Sequence, residues 1–170
     1  TAQSSGHGNR YQLFVERATA LARPNGRLGL ILPSGFATDH GSAPLRRLIL
    51  SDCDVDAIVG FDNRRGVFPI HRSMRFLLMT ATRGRPTSRI ACRLGEVDPS
   101  ALETRSDDDL AVHVTPALLA RLTGEDWALP DLRSAIDLSI AERAAGLFRA
   151  LADRWGWHAH DGRQLTVTDD

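Results

Sequence analysis

The sequence predicts an α/β domain in which apolar strands alternate with amphipathic helices, followed by a mixed α+β extension. Residues 10–22 place apolar side chains at the spacing of one helical face. The turn-forming residues Pro24, Asn25 and Gly26 end this helix, and a short apolar run from Leu28 to Leu32 follows. Helix, tight turn and apolar strand, in this order, are typical of a doubly wound sheet.

The strands of this sheet are predicted near residues 27–32, 55–61 and 74–82. The first is an uninterrupted apolar run, which is typical of a strand buried on both faces. A helix over residues 43–51, with Ser42 as its N-cap, should separate the first strand from the second. No helix is predicted between the second strand and the third. Because a parallel crossover usually contains a helix, the third strand should run antiparallel.

The chain divides into four segments by composition and periodicity. Alternating apolar residues predict short strands in the extension, at 90–94 and 110–114, and a long helix is predicted from Ile136 to beyond Leu151. The predicted segments are a flexible cut end at 1–9, the sheet-bearing part at 10–84, the extension at 85–154, and a tail at 155–170.

The composition excludes several classes of protein. Of the 170 residues, 42% are hydrophobic and 25% charged, which allows a sizeable core. No apolar run approaches the roughly 20 residues of a membrane span, so no membrane partner is expected. Cys53 and Cys92 lack partners at metal-ligand spacing, which predicts two reduced thiols, no metal and a cytoplasmic location. All 21 basic residues are arginine, a side chain suited to phosphates, although genome composition also explains this usage.

Three segments resemble the adenine-N6 DNA methyltransferases of restriction–modification systems, the gamma-class TaqI-like and Eco57I-like families. The helix Tyr11–Ala18 and the stretch Pro24–Ser34 are similar to the family's Y-x-L-F-x-E-x-A helix and R-P-G-G-x-L-x-x-I-x-P strand. Leu45–Leu50 is similar to the helix that follows. Phe61–Pro69, with the strand from Met74 to Thr80, resembles the F-x-N-x-x-x-x-F-x-x-V loop and strand. The resemblance implies that residues 10–84 are the C-terminal half of a catalytic domain with a Rossmann-like class I methyltransferase sheet. It also implies that residues 155–170 begin a linker toward a missing target-recognition region.

The resemblance further implies that the intact parent transfers a methyl group from S-adenosylmethionine to adenine N6 in double-stranded DNA. The family's donor-binding glycine motif, ribose-binding acid and catalytic Asn-Pro-Pro-aromatic tetrad all precede the helix that corresponds to Tyr11–Ala18, and none of them occurs in this sequence. No cofactor-binding residue is therefore assigned. The expected partners are DNA and the missing N-terminal half of the same methyltransferase, and this chain alone is expected to be inactive.

The candidate site is the polar loop that holds Phe68. In the family this loop supplies the aromatic face that stacks on the extruded adenine, and Phe68 occupies the matching position. From spacing alone, the simpler interpretation is that Phe68 and Pro69 plug the loop onto the core. The residues expected to contact DNA are polar or cationic and surround Phe68 or end the first strand: Asn63, Arg64, Arg65, His71, Arg72 and Ser34.

Alternatives remain open at this point. The residues around Phe68 also fit a solvated turn, and Ser34 also fits a simple strand stop. The chain as a whole also fits a non-catalytic module for DNA contact or assembly, which kept the sheet and lost the chemistry. An upstream Asn-Pro-Pro-aromatic tetrad in the parent would favour the enzyme. A methyltransferase for small molecules or proteins is a further alternative, which an absence of DNA binding would support.

Overall fold

A five-stranded mixed sheet lies at the centre of the protein in this computed structural model, which describes residues 9–104 and 111–148. The strands are β1 (Arg27–Pro33), β2 (Cys53–Asp62), β3 (Arg75–Arg83), β4 (Ile90–Glu96) and β5 (Val112–Val114). The helices are α1 (Arg10–Leu21), α2 (Gly35–Thr38), α3 (Ala43–Asp52), α4 (Ala101–Thr104), α5 (Pro116–Thr123) and α6 (Ala135–Leu147). The predicted α/β class is confirmed.

The strand order across the sheet is β1-β3-β2-β4-β5. β3 lies antiparallel between β1 and β2, as the helix-free loop before it predicts. β2 pairs in parallel with β4, so β1, β2 and β4 all point in one direction. Their carboxyl ends, at Pro33, Asp62 and Glu96, therefore meet at the same edge of the sheet, where open α/β sheets bind ligands.

The main core lies on one face of this sheet. α1 contributes Val15 and α3 contributes Ile49 to one buried cluster that also contains Leu32 and Met79 of the strands. Successive side chains of a strand point to opposite faces. The opposite face therefore carries a second apolar cluster, built on Val59, Phe61 and Phe76 with partly buried neighbours.

The prediction that β1 is buried on both faces is wrong. Leu30 and Leu32 are buried, whereas Ile31 between them is 58% exposed. Within the described ranges, β1 is an edge strand that pairs with β3 alone, and α1 packs on one of its faces. An unbroken apolar run indicates what a strand tolerates on both sides, but only the neighbouring elements decide whether both sides are covered.

Ser42 stands at the N-cap of α3, but its side chain does not cap the helix as predicted. Its hydroxyl instead bonds with the Tyr11 hydroxyl at 2.9 Å and accepts from Gln12 Nε2 at 3.0 Å. The residue therefore links α1 to α3. Thr115 does cap α5, since its hydroxyl accepts from the Leu118 amide at 3.2 Å.

The long C-terminal helix differs from its prediction in length and in facing. α6 ends at Leu147, because Phe148 adopts an extended backbone. Ile136 and Ile140, which the periodicity placed on the inner face, are 70% and 63% exposed. Leu138 and Ala141 pack against the core instead. An amphipathic spacing defines a stripe, but the docking of α6 beside α5 decides which stripe faces inward.

Several predictions lie outside the described residues. They concern the cut end before Asn9, the first part of the strand predicted at 110–114, and the helix and tail beyond Phe148. Within the ranges that the structure does describe, no helix combines the length and the apolar character needed to cross a membrane.

Cys53 and Cys92 are both free thiols in the core. Burial raises the pKa of Cys92 to about 12, well above the roughly 8.5 of an unfolded thiol. The folded state thus holds the thiol proton of Cys92 more tightly than the unfolded state does. The contribution of this proton to the free energy of unfolding is complete below the pKa of the unfolded thiol. It is lost as the pH rises toward the pKa of the folded thiol.

We therefore expect the free energy of unfolding to fall above about pH 8.5, by at most about 1.4 kcal/mol per pH unit from this thiol. Urea unfolding between pH 7 and 10.5 measures the slope. Cys92→Ala should unfold at lower urea overall but show a shallower loss with pH. Parallel pH profiles for the two proteins would contradict the assignment to Cys92.

Candidate functional site

The candidate site is the loop between β2 and β3 at the carboxyl edge of the sheet. It opens with a 3₁₀ turn, Asn63–Arg65. The Asp62 carboxylate caps this turn by accepting from the Arg64 amide at 2.9 Å. Gly66 ends it in the left-handed conformation, with φ of 74°, a region that glycine enters without steric cost. Local chemistry alone thus fixes the first part of the loop.

Asn63 organises the rest of the loop. Its side chain is 0% exposed. Its Nδ2 lies within hydrogen-bonding distance of the carbonyls of Phe68, Ile70 and His71, at 3.1, 3.2 and 3.3 Å. Its Oδ1 accepts from the Phe68 amide at 2.9 Å. The amide group of Asn63 therefore holds the loop backbone in place, and contact of this residue with DNA stays a prediction.

Phe68 is half-buried in the second apolar cluster. Its ring centre lies 4.9 Å from that of Phe76 at an interplanar angle of 66°, an edge-on contact. Phe76 in turn stacks on Phe61 at 5.1 Å and 10°. This contact anchors the loop to the sheet, as the simpler interpretation of Phe68 requires. It also fixes the orientation of a ring that remains partly accessible, as base stacking requires.

The cationic side chains predicted around Phe68 are brought together on the surface of the loop. Arg64, Arg65, His71 and Arg72 are all exposed. Arg72 Nη1 donates to the Arg64 carbonyl at 3.2 Å, which closes the loop on itself. Arg65 Nη1 also lies 4.0 Å from the Asp98 carboxylate. The loop therefore presents three arginines and His71 around one partly accessible aromatic ring, and their contact with DNA stays a prediction.

Ser34 lies near this loop in space, although 29 positions separate it from Asn63. It is half-buried in the turn after β1, and its amide donates to the carbonyl of Arg75 at 3.1 Å. Ser34 and Arg64 line the same cavity of about 140 Å³. The end of β1 and the Phe68 loop thus meet at one site.

Sequence reasoning did not identify most of the charged side chains that line this cavity. They are Asp62, Arg75, Asp131 and Arg133, while Phe61, Phe76, Leu77 and Leu94 supply most of its apolar wall. Asp62 and Arg75 face each other across β2 and β3. The other two lie more than 50 positions further along the chain, and only the fold brings them near.

Asp131 and Arg133 form a two-pronged ion pair at the cavity. Arg133 Nη2 and Nε donate to the two carboxylate oxygens at 2.7 and 2.9 Å. This pairing holds the pKa of Asp131 below its ordinary value, and Arg75 adds to the effect. The segment is positioned by a hydrogen bond from the Leu129 amide to the Ala37 carbonyl at 2.9 Å. In the sequence, this pair is marked by an acid and an arginine two positions apart, and Leu129-Pro130 with Arg133 also resembles the family's pattern.

The guanidinium of Arg133 lies over the backbone of Gly95. A Cβ at position 95 would be 3.2 Å from Arg133 Cζ, and Gly95 has φ of 86°, which disfavours other residues. The glycine therefore gives the arginine room to reach the cavity. Across the described residues, no group of three or more histidine, cysteine or acidic side chains is placed to hold a metal.

The chain matches the family model described as Eco57I restriction-modification methylase over residues 1–68. This stretch contains α1, β1, α3, β2 and the loop up to Phe68. Comparison with curated protein sequences gave no match.

Solved structures similar to this chain come from restriction–modification systems. One is a modification subunit of a putative type I restriction enzyme from Vibrio vulnificus YJ016, with 18% identity and a TM-score of 0.57 over 75% of this chain. Another is a type I restriction–modification system, with 14% identity and a TM-score of 0.55 over 85% of this chain. A third is the type IIG restriction endonuclease BpuSI, with 17% identity and a TM-score of 0.56 over 74% of this chain. At these identities the similarity concerns the fold. The chain spans 33%, 38% and 16% of their respective lengths.

Proposed function

We propose, from the premise that residues 1–68 belong to the restriction-modification methylase family, that this chain is part of a DNA adenine-N6 methyltransferase. In the intact enzyme, S-adenosylmethionine would supply the methyl group. The role we assign to this chain is presentation of the adenine, with Phe68 stacking on the extruded base. The observation that supports this most directly is the anchored, partly accessible ring of Phe68, surrounded by exposed cations at the carboxyl edge of the sheet.

The loop geometry suits a base that has left the duplex. Extrusion costs a few kcal/mol, and stacking on an aromatic ring recovers about 1–3 kcal/mol. The ring must be held in place before the base arrives, since ordering it on binding would cost entropy. The Asn63 side chain bonds both the amide and the carbonyl of Phe68, and Phe76 contacts the Phe68 ring edge-on. Arg64, Arg65 and Arg72 are exposed in the same loop, and we assign them to phosphates of the same strand.

Within the described residues, the turn that follows β1 does not fit the methyl donor. The strand-to-helix turn at the end of β1 is Pro33, Ser34 and Gly35, which lacks a glycine-rich cradle. The Asp39 carboxylate occupies the space above Gly35 where a Cβ would be placed. The turn therefore has neither a glycine-rich backbone nor open space above Gly35 for the donor. We therefore place no donor contact in this chain and assign donor binding to the N-terminal half of the methyltransferase.

The edge of the sheet offers a surface for that N-terminal half. No strand in the described part of the chain pairs with the outer edge of β1, and Ile31 is exposed on its open face. Phe14 and Leu21, which lie about two turns apart on the same face of α1, are exposed as well. Exposed edge strands and large apolar side chains are typical of surfaces that pair with another element.

The first expectation is that the 170-residue chain alone neither binds S-adenosylmethionine nor methylates DNA. Calorimetric titration with the donor, and transfer of a labelled methyl group to genomic DNA, measure these two activities. Turnover by the chain alone would overturn our placement of the donor site. Activity that appears only when the upstream part of the parent enzyme is added would support it.

The second expectation concerns Phe68 in the intact enzyme. Phe68→Ala should lower the fluorescence change of a 2-aminopurine placed at the target position, and should weaken capture of the base about tenfold, because stacking is lost. Ile70→Ala is the matched control, since Ile70 lies in the same loop, is 49% exposed and carries no ring. Equal effects of the two changes would contradict base stacking by Phe68.

A further inference from the structure

We infer that the cavity beside the Phe68 loop binds a second nucleotide, which inserts one unstacked base and its phosphate. This inference rests on the proposed function only in taking the ligand to be part of DNA. The cavity lies at the ends of the parallel strands β1, β2 and β4, where Ser34, Asp62 and Gly95 line it. No role in the methylation reaction has been assigned to Asp62, Arg75, Asp131 or Arg133, which form most of its polar wall.

The size of the cavity suits a single ring system. Its volume is about 140 Å³, close to that of an engineered protein cavity of about 150 Å³ that binds benzene. Typical sites for drug-sized ligands occupy about 300–1,000 Å³. A complete cofactor would therefore be too large, whereas one nucleobase has suitable dimensions.

The apolar wall suits the flat face of a base. Phe61 and Phe76 line the cavity, and their rings are already parallel to within 10°. Leu77 and Leu94 add aliphatic surface. Every nucleobase has a π-face that packs on such a surface without regard to sequence.

The polar wall suits the edge of a base and its phosphate together. Asp62 and Asp131 provide carboxylate acceptors, which pair with the exocyclic amino groups of bases. Arg64, Arg75 and Arg133 provide guanidinium donors, which pair with phosphate oxygens. A simple anion would be repelled by the carboxylates, and a simple cation would be repelled by the guanidiniums. A ligand with both an amino-bearing ring and a phosphate matches both sets.

The cavity is continuous with the Phe68 loop. Arg64 belongs to the loop and lines the cavity, and Phe76 contacts Phe68 while also lining the cavity. A nucleotide in the cavity would thus lie beside the base held at Phe68. Two sources have this chemistry: the nucleotide next to the target on the same strand, and the unpaired base that extrusion leaves on the opposite strand.

The test titrates the 170-residue chain with 2-aminopurine deoxyribonucleoside 5′-monophosphate and follows its fluorescence. The dissociation constant of this mononucleotide should be lower than that of the same nucleoside without phosphate. It should also be lower than that of inorganic phosphate, which is measured by competition. Arg133→Gln and Asp131→Asn should each weaken binding about tenfold, because each removes one half of the paired recognition. Thr38→Trp, at an exposed position on the rim, should block entry.

Arg27→Gln is the matched control, since Arg27 is an exposed, ion-paired arginine at the opposite end of β1. Thermal unfolding of each variant separates lost binding from lost folding. A single-stranded trinucleotide with 2-aminopurine in its centre represents the neighbouring nucleotide. A duplex with 2-aminopurine opposite an abasic site represents the unpaired base. The probe whose fluorescence signal is reduced more by Arg133→Gln identifies the origin of the nucleotide that the cavity binds.

The inference is overturned if folded Arg133→Gln and Asp131→Asn bind the mononucleotide as the unchanged chain does. It is also overturned if the mononucleotide binds no more tightly than inorganic phosphate. Mononucleotide binding that depends on the cavity, without any DNA binding by the intact enzyme, would support the cavity's ligand class and refute the proposed function. DNA capture that depends on Phe68 but not on Arg133 would support the proposed function and refute binding of a nucleotide in the cavity.

Discussion

Asn63→Ala is expected to lower the free energy of unfolding by about 3 kcal/mol and to release the loop between β2 and β3. The change removes the bond to the Phe68 amide and leaves the carbonyls of Phe68, Ile70 and His71 without their shared donor. Each backbone group left unsatisfied in a buried position costs about 1–3 kcal/mol, and partial access of water to the loop reduces the sum.

Urea unfolding measures the stability of Asn63→Ala, and hydrogen exchange at the Phe68 amide measures the order of the loop. Exchange at this amide should accelerate strongly while exchange in the centre of β3 changes only with global stability. Arg64→Ala is the matched control, because its side chain is exposed in the same turn. If Asn63→Ala destabilised the protein no more than Arg64→Ala does, the organising role of Asn63 would be wrong.

Arg46→Met is expected to destabilise the protein by about 3–4 kcal/mol, because it removes a buried charge whose partners are backbone carbonyls. Arg46 is only 3% exposed. Its Nη1 donates to the carbonyls of Phe36 and Asp39 at 2.9 and 2.8 Å. Its Nε and Nη2 donate to the carbonyl of Asp126 at 3.0 and 2.7 Å. Burial lowers the pKa of Arg46, which the Asp126 and Asp39 carboxylates oppose.

The effect of Arg46→Met should extend to the site. The bonds of Arg46 hold α2 against the turn Gly124–Asp126, which precedes the segment that carries Asp131 and Arg133. Arg47→Met is the matched control, since Arg47 is the neighbouring arginine and forms an exposed ion pair with Glu125. Such pairs contribute about 0–1 kcal/mol. Chemical denaturation measures the free energy of unfolding of both variants. Similar decreases in the two would show that Arg46 is not the link between these segments.

The fold was predictable from the sequence where local chemistry determines it. The Pro24–Gly26 turn, the apolar strands and the helix-free segment before β3 led to the observed elements and to the antiparallel direction of β3. Predictions failed where the outcome depends on neighbouring elements. The exposed face of Ile31 and the outward orientation of Ile136 and Ile140 follow from what packs beside them.

The candidate site divides in the same way. The sequence by itself determined that Phe68 lies in a polar, arginine-rich loop between two strands, because these residues are close along the chain. Only the tertiary structure decided that Asn63 turns inward to hold that loop and that Phe68 rests edge-on against Phe76. It also brought Asp131 and Arg133 to the cavity beside it. The physical reason is that buried hydrogen bonds and packing join residues that are distant in sequence, and local periodicity carries no information about such partners.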